Sequence, residues 1–304
     1  MTNRSDWFED IPVAGKMSPL ELSERLGELG NRDELGKDGG AAYPDSRRFG
    51  VEGWFKRSVP AWKHTAHTFG FIRSGTASEG PTAILQVGAV EADTSLKEAA
   101  LRITLDALRV AEYPGGGDHR VLFDFYVQNR TKSLVEHVHF NATYRIRDGE
   151  RAAVLNFPIF TNVRAPEAGL VIRCFTVNVK NDQDELFLST LESDVFRTGL
   201  KLALTPQPAL VPLSSLAVGI TKLIAKRNRN VPVQDVYLGL DFGGAPTGAR
   251  LALGSYVAVQ IPEAFVRAWS WSDWKFDTQS GQVLNNSGEL IPFNYLILGI
   301  SRGA

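Results

Sequence analysis

The chain has 304 residues, 43% of them hydrophobic and 22% charged, which is enough to bury a sizeable core and unlike the composition of disordered sequences. A formal net charge of −1 leaves no global field to draw the protein to nucleic acid or to an anionic membrane, so a nucleic-acid partner is not expected. The single cysteine, Cys174, excludes an intramolecular disulfide and a thiolate-rich zinc site within one chain, and a cytoplasmic address is the expectation that follows.

The opening residues "MTNRSDWFEDIP" lack a basic stretch followed by an apolar one, and no run of about 18 apolar residues occurs, so neither a signal peptide nor an integral membrane segment is expected. Residues 18–30 predict a short amphipathic helix. Ser18 stands at the N-cap, Pro19 at the first helical position and Glu21 in a capping box, with Leu22, Leu26 and Leu29 on one face and Gly30 as the stop. Residues 31–53 are rich in glycine and charge without a period and read as a linker. Within them Gly36-Lys37 ends like a phosphate loop, but Asn31 stands in place of its first glycine and Asp38 in place of its Ser or Thr. Residues 1–58 are therefore expected to form an arm whose leucine stripe docks on the sandwich or on another subunit.

From about residue 80 the pattern becomes that of strands. Leu101, Ile103 and Leu105 alternate with polar positions, as do Val121, Phe123, Phe125 and Val127. Pro114 with Gly115 to Gly117 supplies the intervening turn. Val138, Phe140, Ala142 and Tyr144 then share one face, opposite a polar set of His137, His139, Asn141 and Thr143, and Asp148-Gly149 makes a tight turn. Val171, Phe175, Val177 and Val179 mark the strand of highest β propensity. Two helices follow: one from Asp182 to about 204 with Leu188, Leu191 and Val195 at helical spacing, and one near 212–226 with Leu216, Ile220, Leu223 and Ile224 on one face. Strands resume after Pro232. Strands joined mainly by turns predict a mainly β fold, an antiparallel β-sandwich of C2-like or jelly-roll-like type with two or three peripheral helices. The sandwich is expected to cover 59–304, with a helical insertion around 182–226.

Four groups of residues bear on function. His137 and His139, two apart on a strand, project to one side and can reach one divalent metal. Jelly-roll metalloenzymes such as the cupins use a pair of this kind with a carboxylate a few residues later; here the following residues are Phe140, Asn141, Ala142, Thr143 and Tyr144, and His64 and His67 are the remaining nearby candidates. The competing expectation is a solvated polar face. Lys222, Lys226, Arg227 and Arg229 gather four cations at a helix end, where they hold an anion or satisfy the helix dipole. Asp182, Asp184 and Glu185 suit a helix cap better than a calcium loop, which needs six or more oxygens.

Trp269, Trp271 and Trp274 are half of the chain's six tryptophans. An extended reading of 268–277 puts Trp269 and Trp271 on one face and Trp274 with Phe276 on the other, ahead of a hairpin that turns at Gly281. Core or subunit-interface packing is the expected role, since stacking platforms need rings on one face. Cys174, mid-strand among apolar neighbours, reads as an inert thiol. No Gly-x-Ser-x-Gly, His-Glu-x-x-His or Gly-x-Gly-x-x-Gly pattern occurs. The sequence thus favours a non-catalytic binding or assembly protein without a cofactor, acting on a protein partner or as a homo-oligomer. In it Leu22, Leu26, Leu29 and the three tryptophans are the contact elements. The alternatives are a metal-dependent enzyme built on His137 and His139, and an anion- or membrane-surface-binding sandwich.

Overall fold

The computed structural model describes residues 7–30, 59–75, 80–130, 135–152, 154–192, 211–243 and 248–303. Its strands in chain order are β1 (Ala66–Arg73), β2 (Pro81–Ala83), β3 (Leu85–Gln86), β4 (Ala100–Arg109), β5 (Asp118–Arg130), β6 (Val135–Arg147), β7 (Phe157–Arg164), β8 (Leu170–Val179), β9 (Val231–Asp241), β10 (Ala249–Arg250), β11 (Gly254–Ile261), β12 (Trp274–Asp277), β13 (Gln282–Asn285) and β14 (Tyr295–Arg302). Among the described residues three α-helices accompany them: α1 (Pro19–Glu28), α2 (Glu185–Glu192) and α3 (Val211–Lys226). The fold is the expected β-sandwich. A six-stranded sheet, β3-β1-β11-β14-β4-β7, lies against a five-stranded one, β10-β9-β8-β5-β6, and a small third sheet, β13-β12-β2, forms an outer layer. All strand pairs but β9–β10 are antiparallel. No helix among the described residues is long and apolar enough to cross a membrane.

Strand β1 precedes the region where the sequence shows strand patterning, and β14 lacks it for a physical reason: both faces of the six-stranded sheet are covered. Tyr256 and Ala258 of β11 enter the main core while Val257 and Val259 enter an outer core, and Leu296 and Leu298 divide from Tyr295 and Ile297 of β14 in the same way. A strand buried on both sides reads as a continuous apolar run, without the period of two.

The outer core answers the tryptophan question. Residues Trp271–Asp273 form a short 3₁₀ turn, so strand parity fails there and the three indoles converge instead of dividing between two faces. Trp269 stacks on Trp274 at 5.5 Å and meets Trp271 edge-on at 5.4 Å. Trp271 and Trp274 are buried and Trp269 is half-buried, against Val257, Val259, Ile291 and Tyr295. Gly70 of β1 makes room for this layer, since a Cβ there would sit 2.9 Å from the Trp271 ring. The hairpin β12–β13 closes as expected at Gly281, whose φ of 64° suits glycine.

The N-terminal residues dock on their own sandwich. Helix α1 starts at Ser18, whose hydroxyl accepts the Glu21 amide at 3.3 Å, and Gly30 follows its end with φ 81°. Leu26 is fully buried in the main core, Leu22 and Leu29 pack against it, and Trp7, Phe8, Ile11, Val13 and Ala14 belong to the same core. Of the two docking places expected for the leucine stripe, the chain's own sandwich is the one that residues 7–30 occupy. The expected linker and the Gly36-Lys37 stretch lie outside the described residues, as does Val195.

Candidate functional site

Register builds the outer face of the five-stranded sheet. Across β6, β5, β8 and β9 one row reads His139, Tyr126, Arg173, Tyr237 and the next reads Asn141, Asp124, Phe175, Asp235. The expected solvated face is covered over much of its area: α3 and the N-terminal segment lie on it, and His139, Asn141 and Asp124 are each no more than 1% exposed, while His137 and Tyr237 stay exposed. A burial of that depth demands hydrogen bonds. His139 Nδ1 donates to Asp124 Oδ1 at 2.6 Å, while Asn141 Nδ2 donates to Asp124 Oδ2 at 3.1 Å and to Thr221 Oγ1 of α3 at 2.7 Å. Thr221 in turn donates to Asp124 Oδ2 at 3.3 Å. The Trp7 ring stacks on His139 at 6.2 Å.

His137 points to the same side but stays exposed, and its Nδ1 shares a hydrogen bond with the Tyr126 hydroxyl. The two histidines thus have different partners, and no group of three His, Cys, Asp or Glu side chains able to hold a metal ion occurs among the described residues. His67 lies on the other sheet. Ser214 at the start of α3 blunts the free edge of β6 by accepting the His139 amide at 3.0 Å and donating to the His137 carbonyl at 3.3 Å.

The four cations of the helix end are taken up by the chain's own carboxylates. Lys222 and Lys226 hold Asp10 at 3.7 and 3.1 Å, Arg227 binds Asp184 at 2.6 Å, and Arg229 lies 4.0 Å from Asp182. Arg25 of α1 donates to the backbone carbonyls of Lys226, Arg227 and Asn230, capping the C-terminus of α3. The group is a clamp on the N-terminal segment and α2. Asp184 is fully buried and also accepts from Asn230 Nδ2 at 2.5 Å, so it ties the two helices together. On α3 the apolar face also differs from expectation: Ile220 and Ile224 are buried with Ala217 and Thr221, whereas Leu216 and Leu223 are 48% and 43% exposed. Cys174 is buried, and desolvation pushes its thiol well above the ordinary range, which keeps it protonated and inert.

The site that local sequence patterns do not show is a cleft of about 420 Å³ at one end of the sandwich, where 59–65, 262–265 and 292–293 meet. Pro262, Phe265, Pro292 and Phe293 give it apolar walls, and Lys63, His64, Glu112 and Glu263 give it polar groups. Its frame is fixed by buried polar side chains. Asn294 accepts the Ala111 and Glu112 amides at 2.7 and 3.1 Å and donates to Gln260 Oε1 at 2.9 Å; Gln260 donates to the His64 carbonyl at 2.6 Å and accepts from Gln234 at 3.1 Å. Arg109 donates to the carbonyls of Ile291 and Phe293 at 2.7 and 3.4 Å. Within the cleft Thr65 donates to Glu263 at 2.5 Å, and Glu112 accepts the Ala61 amide at 3.0 Å. Burial lowers His64 to a pKa of about 4, so its ring is neutral at pH 7. The one signal of this frame in the sequence is polar residues inside apolar strand runs: Gln234 in "VPVQDV", Gln260 in "VAVQIP" and Asn294 in "IPFNYL". Comparison with protein-family models, with curated proteins and with solved structures gives no match.

Proposed function

We propose that the chain is a non-catalytic, intracellular binding or assembly protein that takes a protein partner in the cleft between 59–65, 262–265 and 292–293. The observation that carries this reading is the combination of a concave, aromatic- and proline-walled surface with a rigid frame of buried amides, the form of a preorganised recognition site. Val59 and Val266, 41% and 48% exposed, extend the apolar surface at its margin. With His64 neutral, one lysine faces two glutamates, Glu112 and Glu263, which favours a partner segment carrying positive charge. Leu26, Trp271 and Trp274 are buried in the chain's own cores, which supports a binding role for this end of the sandwich.

Ala264 is exposed on the cleft lining, so Ala264→Arg fills and recharges the cleft without disturbing the core. Light scattering over a concentration series tests self-association, and quantitative affinity purification from the source cells compares the two forms of the full chain. The expected result is an assembly or a stoichiometric partner formed by the wild type and lost in Ala264→Arg. A wild type that is monomeric and has the same companions as the variant overturns the reading.

A further inference from the structure

On the outer face of the five-stranded sheet is a second hollow, of about 210 Å³, which shares no lining residue with the cleft. Trp7, Tyr126, Gln128, His137, Arg173 and Tyr237 border it. Arg173 is its centre. The guanidinium lies 4.1 Å from the Trp7 ring centroid and 5.3 Å from that of Tyr237, and stacking between two rings holds its plane in place. Its nearest carboxylates, Asp235 at 3.7 Å and Glu9 at 4.0 Å, are ion-pair neighbours beyond hydrogen-bond distance. Arg173 Nε is buried with no hydrogen-bond acceptor in the protein. With both neighbouring carboxylates beyond hydrogen-bond distance the guanidinium is short of acceptors, and a ligand oxygen in the hollow supplies one.

The charge balance selects the ligand. Two carboxylates within 4.0 Å already offset the one guanidinium, so a bare anion gains little and meets repulsion from both. A neutral hydroxyl suits the place better, because it accepts from Arg173 without adding a charge beside the two carboxylates. Gln128 adds an amide that both donates and accepts, and the His137 ring, whose Nδ1 pairs with the Tyr126 hydroxyl, adds to the border. Tyr237 is 54% exposed and presents a flat apolar wall. At about 210 Å³ the hollow has room for one small ring with its substituents.

We propose that this hollow binds a neutral polyhydroxylated ligand, a single pyranose-sized ring lying on Tyr237 with hydroxyls on Arg173 and Gln128. This site stands independently of the cleft reading. Its test is a titration of the full chain with glucose, galactose, mannose and N-acetylglucosamine, followed by saturation-transfer NMR and calorimetry, with sodium acetate as the anionic arm. At least one sugar is expected to bind saturably in the millimolar range, and Tyr237→Ala and Gln128→Ala, both at solvent-accessible positions, weaken it about tenfold each. Arg173→Lys, which keeps the charge but loses the planar fork, weakens it as well, while Ala264→Arg in the cleft leaves it unchanged. Unaltered thermal unfolding of the Tyr237 and Gln128 variants establishes that they are folded. The proposal is overturned if no sugar saturates, if a sugar binds equally to the Tyr237 and Gln128 variants, or if acetate alone binds.

Discussion

Asp124 has no exposed surface, yet three donors converge on it: the His139 ring, the Asn141 amide and the Thr221 hydroxyl. Asp124→Ala takes this acceptor from all three, with only Asn141 keeping another in Thr221, and unfolding in urea is expected to show a loss of about 3–5 kcal/mol, the range for breaking a buried polar pair from one side. Asp10→Ala provides the contrast. Its carboxylate is 53% exposed between Lys222 and Lys226, and its removal is expected to change stability by about 0.5 kcal/mol or less. His67 supplies a pH dependence. The residue is half-buried overall, but its Nε2 is buried without a partner, and desolvation, with a smaller push from Lys16, lowers its pKa to about 4. The folded state therefore resists a proton that the unfolded chain accepts below its ordinary value of 6.5. Stability is complete above that value and falls as pH drops from 6.5 towards 4, with His64 contributing over the same window. Unfolding free energies measured across this range are expected to fall less steeply in His67→Gln, and an unchanged slope refutes the assignment.

At the scale of elements, the N-terminal segment couples sequence ends that lie far apart in the chain. Trp7 donates to Asp235 of β9 at 3.3 Å and lies under Arg173 of β8, Phe8 packs on Phe175, and Arg25 caps α3. Trp7→Ala removes a ring that is 3% exposed, and its expected cost is about 3–5 kcal/mol in chemical denaturation. A cost below 1 kcal/mol would indicate an arm that merely rests on the surface. The same segment explains what the sequence concealed. Val121, Phe123, Phe125 and Val127 alternate as an inward face should, but Leu122, Asp124 and Tyr126 are buried too, because 7–16 and α3 cover the other side. A polar residue under such a lid has the same local pattern as one in water, so the row His137, His139, Asn141 reads as a solvated face although only its first member is exposed. The tryptophan parity failed for a different reason, a 3₁₀ turn of three residues that no apolar period marks.

The whole molecule joins two cores through one sheet. Strand patterning in β4, β5, β6 and β8 discloses the sandwich, since each has an inward face legible at period two, whereas the cleft draws on loops separated by most of the chain and leaves only isolated amides as a trace. Coupling between the cores follows from β1, β11 and β14, whose successive residues serve the inner and the outer cluster in turn. Phe71 and Ile72 of β1 are neighbours in sequence and lie in different cores, so displacement of a shared strand disturbs both layers. Trp274→Ala makes a cavity in the outer core only, at an expected cost of about 3–5 kcal/mol. If the shared sheet transmits that loss, amide exchange at Phe123 and Phe125 on β5, in the inner core, accelerates to the same extent as at Val283 on β13. Layers that open separately instead leave the β5 amides at wild-type protection while β12 and β13 lose theirs.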